Sequence, residues 1–342
     1  MRCLLCRVFT PVPLIALCCV VMLSAAATAT PIKLNYSMFF PATHAQAKAG
    51  MDWAREIEAR SGGRVKITVF PGGILGKAHQ IFDYTAKGIS DIGMSCFAYT
   101  RGRFPVMEVL DLPIGYPDGL TATRAANQFY TAVTPAELKA VKVLYLHAHG
   151  PGRLHTRTPV VTLSDLHKMK IRSTGLSAKI VDALGGVPVA MAQGATYESL
   201  QKGVVEGTFG PFEVLKGWRQ AEVIQSSTDC HQIGYTTAMF VVMNNRKWHA
   251  LPADLKIIFD QTSAEWIDVH GKTWDDADAA GRAYTRERGN AVHELSDAEA
   301  EKWVNAVQPI MEDYKQRTAK RRLPGAAYVS QLRKIIQLAA AR

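Results

Sequence analysis

The stretch Lys170-Ile171-Arg172-Ser173-Thr174-Gly175 reads as the end of a short strand (Met169–Ser173), a glycine-containing turn, and the start of a helix over Ser177–Leu184. An arginine at the carboxyl end of a strand, beside a helix start, can hold an anion. Its guanidinium gives two parallel charge-assisted hydrogen bonds to a carboxylate. The helix start adds free N–H groups and a partial positive charge. Strand ends of this kind are where open α/β sheets bind ligands. Arg172 is therefore read either as a carboxylate-binding group or as the partner of a structural carboxylate in the same chain.

Other side chains fall at comparable strand ends. Phe209 and Phe212 flank Gly210-Pro211 after the strand Gly207–Gly210, and offer either an apolar wall for a ligand or ordinary core packing. Arg153 follows the break Gly150-Pro151-Gly152 and is either a second cation for a ligand or a surface arginine. His149 ends a strand and lines a cleft or the surface. Tyr99, just after Ser95-Cys96-Phe97-Ala98, is a candidate hydrogen-bond donor, and Phe39 and His44 follow the first strand at a ligand-facing end. Trp218 is expected in the core or at the rim.

Catalytic patterns are missing. The chain has no G-x-S-x-G, no H-E-x-x-H and no Walker loop. His147 and His149 share one face of a strand with His155 nearby, but no cysteine or acidic residue in that segment completes a zinc set. No metal and no cofactor is expected.

The elements that would position these side chains alternate. Strands are expected at Ile32–Ser37, Val65–Phe70, Asp91–Ser95 and Val141–His147, with helices at His44–Ser61 and Lys77–Lys87 between the earlier ones. This βαβαβ order predicts a mainly parallel sheet covered by helices. A second α/β unit follows: strand Met169–Ser173, helix Ser177–Leu184, strand Val187–Met191, helix Thr196–Lys202 and strand Gly207–Gly210. The apolar strand Thr237–Met243 is expected to return to the first unit. Pro252 to Gly289 is helical, near 38 residues and roughly 57 Å at 1.5 Å per residue. A helix of that length outreaches one small lobe and is expected to span two, with a kink at Gly271 or Gly281. A short strand at Val292–Leu295 and a helix over Asp297–Lys320 close the chain. The expected fold is α/β and two-lobed. One lobe takes residues 30–150 plus about 237–270, and the other takes 151–236 plus about 271–325. Residues 326–342 are expected as a C-terminal tail. Two lobes joined by several crossings give a cleft that can shut like a hinge.

Arg2 and Arg7, the apolar run Val8–Leu23 and the small residues Ser24–Ala29 read as a secretory signal peptide cut after Ala29. The run is about 16 residues, against roughly 20 needed to span a membrane; an uncleaved anchor is the alternative. Cys18-Cys19 lacks the small preceding residue of a lipidated cysteine. Four of the six cysteines lie in this segment, so only Cys96 and Cys230 are left to form a pair, and the mature chain relies on its core. The net charge of +10 falls to +8 without Arg2 and Arg7. Part of it lies in Lys315–Arg322, read as a solvated helix face in a chain with no nucleic-acid motif.

Several motifs occur in one order: Phe39-Phe40-Pro41-Ala42-Thr43-His44, Phe70-Pro71-Gly72-Gly73-Ile74-Leu75-Gly76, Gly102-Arg103-Phe104-Pro105, Asp111-Leu112-Pro113, Met169-Lys170-Ile171-Arg172, and Leu200-Gln201-Lys202-Gly203-Val204-Val205-Glu206-Gly207. Together they resemble the DctP-type extracytoplasmic solute receptors of TRAP transporters, from about Ile32 to Asp313. The resemblance implies a periplasmic-binding-protein fold and a hinge. It implies a receptor that binds an organic acid anion in the cleft and delivers it to membrane subunits, without catalysis, cofactor or nucleic acid. It implies that Arg172 forms the salt bridge to a substrate carboxylate, with Arg153 the nearest candidate for a second arginine. Many members carry a polar residue before the proline that follows V-E-G. Here Phe209-Gly210 precede it, which argues for an apolar or aromatic ligand body over a sugar acid. Two rivals stand beside this reading: an exported α/β enzyme acting on small acids, and a receptor of the same fold that feeds a sensor.

Overall fold

The computed structural model describes residues 30–340, so the expected signal peptide over residues 1–29 lies outside the described residues. The strands in chain order are β1 (Ile32–Met38), β2 (Val65–Phe70), β3 (Ile92–Cys96), β4 (Val141–Ala148), β5 (Arg153–Thr156), β6 (Lys170–Ser173), β7 (Val187–Ala190), β8 (Gly207–Gly210), β9 (Ser226–Asp229), β10 (Ala238–Asn244) and β11 (Ala291–Glu294). They form two sheets, one in the order β2-β1-β3-β10-β4 and the other in the order β11-β9-β5-β8-β6-β7.

Both sheets are mixed, which corrects the expected mainly parallel arrangement. β1 runs parallel to β2 and β3, but β10 is antiparallel to β3 and β4. In the second sheet β5 is antiparallel to β8 and β9, while β8-β6-β7 and β9-β11 are parallel. The cause is the route of the chain. A parallel neighbour in the same sheet needs a long crossover. β10 arrives from the second sheet and β5 from the first, so neither is bound by that rule.

The first helix, Ala45–Arg60, is capped by the His44 ring, which accepts from the Gln46 N–H at 3.1 Å. It buries Ala47, Trp53, Ala54 and Ile57 at helical spacing against the sheet, and Gly62 and Gly63 stop it in left-handed conformations. The long helix, Ala253–Glu287, has 35 residues and runs roughly 52 Å. Two of its carboxylates, one turn apart, tie it to both halves of the chain. Asp275 accepts the N–H groups of Gly119 (2.6 Å) and Leu120 (3.1 Å), at the start of the helix Gly119–Val133. Asp278 accepts the N–H of Glu213 (2.8 Å), at the start of the helix Glu213–Gly217 that follows β8. At Gly281 an added Cβ would sit 2.1 Å from the Phe212 carbonyl oxygen, so only glycine lets the two helices meet this closely.

Two helical expectations need correction. The helix expected over Asp297–Lys320 is two, Asp297–Val307 and Pro309–Lys320. Pro309 cannot continue the first but fits the opening turn of the second. The segment expected as a tail is the helix Gly325–Ala340, which buries Val329, Leu332 and Ile336. No helix among the described residues is long and apolar enough to cross a membrane. Cys96 and Cys230 are buried and unpaired.

Candidate ligand-binding site

The carboxyl ends of β1, β3, β6 and β8 converge on one narrow cavity with about 40 Å3 of water-accessible space. The first sheet's side brings Phe39 and Phe40 after β1, Cys96 and Tyr99 at and after β3, and His149 after β4. The second brings Arg172 on β6, Gln193 after β7, Phe209 on β8 and Glu213 after it. Tyr235, Trp218 and Trp274 add rings to the wall, and Thr174, Ser177 and Thr237 add hydroxyls. Aromatic rings dominate. Phe39 lies near-parallel to Trp218 (6.1 Å, 13°) and edge-on to Tyr99 (5.3 Å), and Phe209 stacks on Tyr235 (5.0 Å, 21°).

Arg172 is 4% exposed. Its Nε and Nη2 donate to the Met191 carbonyl at 3.1 and 3.0 Å, which fixes the plane of the guanidinium. Among the described residues no carboxylate lies within ion-pair distance of it; every pair found involves other cations. The structural-carboxylate reading of Arg172 therefore has no partner to support it. His149 donates from Nδ1 to the Gly150 carbonyl in the assigned tautomer (2.5 Å). Burial, with the charges of Arg172 and Arg153, pushes the His149 ring down to about 4, so it is neutral at pH 7. Burial also pushes the Tyr99 phenol and the Cys96 thiol up, so both stay protonated. The guanidinium is the cavity's one fixed positive charge among the described residues.

Five expected site residues, Arg172, Phe209, His149, Tyr99 and Phe39, line the cavity; Arg153, Phe212 and His44 do not. Arg153 stands on β5, whose register (Leu154 opposite Thr228) sets Asp229 beside it. Asp229 takes Arg153 on one oxygen and Arg282 on the other (2.8 Å). Burial alone would raise this carboxyl, but Arg153, His231 and Arg282 hold it below its ordinary value. Arg153 is thus neither free for a ligand nor a plain surface arginine. Phe212 lies beneath the same two guanidinium groups, 5.7 Å from that of Arg153 and 5.0 Å from that of Arg282, and packs in the core. His44 caps its helix and meets the Glu213 carboxylate at 2.5 Å, both side chains buried. That contact joins the chain after β1 to the chain after β8 at the cavity wall, which Glu213 lines.

The sequence did not point to Gln193, Glu213, Tyr235 or Trp274. Gln193 follows a short strand with no motif around it. Glu213 is visible only as the residue after Gly210-Pro211-Phe212. Tyr235 and Trp274 reach the cavity from distant parts of the chain, with no local signal.

Residues 36–317 match the family described as bacterial extracellular solute-binding protein, family 7. The chain is 25% identical over 303 residues to the C4-dicarboxylate-binding periplasmic protein DctP of Rhodobacter capsulatus, across 86% of this chain and 90% of that protein. It is similar to the structure of a TRAP solute-binding protein from Rhodoferax ferrireducens in complex with copurified benzoate (TM-score 0.87, 26% identity, 91% of this chain and 99% of that one). It is equally similar in TM-score, 0.87, to a marine metagenome TRAP solute-binding protein specific for aromatic acid ligands, in complex with 3-hydroxybenzoate. There the identity is 28%, across 91% of this chain and 99% of the other.

Proposed function

The chain belongs to the bacterial extracellular solute-binding protein family 7, and on that premise we propose that it is the periplasmic receptor of a TRAP transporter for a small aromatic monocarboxylate. The observation that carries this reading is Arg172, a buried guanidinium lining an aromatic-rich cavity with no carboxylate within ion-pair distance among the described residues. Burying an unpaired charge costs several kcal/mol, roughly, even after relaxation. An anionic ligand offsets that cost. The rings around it supply apolar surface for a body of benzoate size.

A C4-dicarboxylate, the ligand in the name of the Rhodobacter relative, needs a second cation. Arg153 is held by Asp229, and His149 is neutral at pH 7. A second carboxylate would sit among Phe39, Phe209 and Trp218 without a partner. A sugar acid is disfavoured in the same way, because rings outnumber the hydroxyl-bearing side chains Thr174, Ser177 and Thr237 along the wall.

In the proposed cycle the two sheets are the cores of two lobes that part to admit the acid. Arg172 fixes the carboxylate, closure excludes water and strengthens the pair, and the closed receptor docks on the membrane subunits. At the cavity the two sides meet through His44 to Glu213, the Gln193 N–H to the Tyr99 hydroxyl (3.3 Å), the Thr174 hydroxyl to the Ala98 carbonyl (3.5 Å), and the packing of Trp218 against Phe39 and Phe40.

The test is calorimetry on the ligand-stripped mature protein with benzoate, phenylacetate, succinate and glucuronate. Binding of the aromatic acids with weak or no binding of the other two is expected. Tight succinate binding would overturn the monocarboxylate assignment, and silence from every acid would overturn the carboxylate reading of Arg172.

A further inference from the structure

Arg172 meets a carboxylate, but the cavity holds a second directed polar group that the carboxylate leaves unused. Gln193 is 6% exposed and lines the cavity, and its side-chain Nε2 has no hydrogen-bond partner among the described residues. A buried amide donor with nothing to bond is costly, because its desolvation is not repaid. Its place is tied to Arg172. The Met191 carbonyl, two residues before Gln193, is the acceptor that fixes the guanidinium. The Gln193 backbone N–H donates to the Tyr99 hydroxyl, and Tyr99 lines the same end of the cavity and feels the Arg172 charge. On the other side, Gly194 lies against the Trp218 ring. Gln193 is thus two residues past the carbonyl that holds the guanidinium and one before the glycine that meets the Trp218 ring, and it lines the cavity with both Arg172 and Trp218.

We propose that Gln193 is a specificity-determining residue that donates from Nε2 to an oxygen on the carbon next to the carboxylate, so that the receptor prefers aromatic 2-hydroxy and 2-oxo acids to the unsubstituted acids. This rests on the aromatic-monocarboxylate reading given above and narrows it. An acid without that oxygen fills the same ring wall but leaves the amide unpaired. A site built to bond a substrate oxygen discriminates strongly against the analogue lacking it.

The experiment compares mandelate, phenylglyoxylate and phenylacetate by calorimetry on the wild-type mature protein and on Gln193→Leu and Gln193→Met. Wild type is expected to bind mandelate or phenylglyoxylate at least about tenfold more tightly than phenylacetate, equivalent to about 1.4 kcal/mol. In both variants the ratio is expected to fall to within about twofold, through a loss of mandelate and phenylglyoxylate affinity larger than any change for phenylacetate. A merely structural role for Gln193 would weaken all three acids alike, and that result overturns the proposal. So does a wild-type ratio near one, or a preference that survives both substitutions. If the variants fail to fold, the wild-type ratio alone decides. Phenylacetate separates this claim from its premise. If it binds and the ratio is near one, only the Gln193 assignment falls; if none of the three acids binds, the aromatic-acid reading falls and takes this one with it.

Discussion

Replacing Arg172 with alanine separates its two energetic roles, in opposite directions. Without ligand, the guanidinium is a buried charge bonded to the Met191 carbonyl, with no carboxylate within ion-pair distance among the described residues. Its removal lifts a desolvation cost. The ligand-free protein should therefore melt at the same temperature as wild type or higher. With ligand, the loss is that of one partner from a buried charged pair. At 4 Å and an effective dielectric of 20 the attraction is about 4 kcal/mol, and truncating one partner of such a pair typically costs about 2–5 kcal/mol. At about 1.4 kcal/mol per decade, benzoate affinity should drop by roughly 30-fold to several thousand-fold. Arg172→Lys should recover only part, because a point charge cannot reproduce the fork held on Met191. The assay is calorimetry with benzoate beside thermal melts with and without it. Wild type at about 100 times Kd gains roughly 2.7 kcal/mol, and Arg172→Ala at the same benzoate concentration should gain at most about 0.9 kcal/mol. An alanine variant that binds benzoate within about threefold of wild type would refute the reasoning. So would one that melts well below wild type in the absence of ligand, since that would make Arg172 a structural ion-pair member after all.

Other perturbations read the closure and the buried titrations. Gly175 has φ of +51°, and a Cβ there would lie 2.6 Å from the Ala98 Cβ across the cleft. Gly175→Ala should cut benzoate affinity about tenfold or more and leave the ligand-bound protein more open in small-angle scattering, and a wild-type scattering profile would count against a closure role. Glu213→Gln keeps the shape but removes the charge that meets His44, so benzoate should dissociate faster in stopped-flow measurements; an unchanged off-rate would show that the contact does not hold the closed form. Burial pushes His149 and His155 down to about 4 and His270 to about 3, from an ordinary 6.5. The stability they contribute is present above 6.5 and lost as pH falls through 4, at up to about 1.4 kcal/mol per pH unit per group. Asp278 runs the other way: burial raises it from 3.8 to about 7, so its share is full below 3.8 and lost as pH rises through 7. Urea titrations should show a steep loss of stability between pH 6 and 4, and Asp278→Asn, which removes an opposing slope between pH 3.8 and about 7, should make that loss steeper; a flat acid limb would contradict the buried neutral histidines.

The sequence was most legible where local pattern and local chemistry agree. β2 and β8 were read to the residue, because alternation or a V-E-G lead-in ends in glycine and proline. Arg172, Phe209, Tyr99 and Phe39 were readable as cavity candidates because each sits at or just past the carboxyl end of such a strand. β5 and β9 were not read. Each has only four residues, mostly polar, with no alternation to mark it. That omission decided Arg153. Taken as the first residue after a glycine break, it looked free to meet a ligand. Paired across β5 and β9 it stands beside Asp229, and the same carboxylate draws in Arg282 from the long helix. Phe212 went with it, since those two guanidinium groups cover its ring. Chemistry along the chain can thus name which side chains are able to bind an anion, but strand register determines which of them the protein has already consumed. Of two arginines equally able to bind a carboxylate, one stands opposite an aspartate and the other opposite Thr208 and Val189, which carry no charge. The proposed selectivity for a single carboxylate follows from that difference in register more than from the number of cations in the sequence.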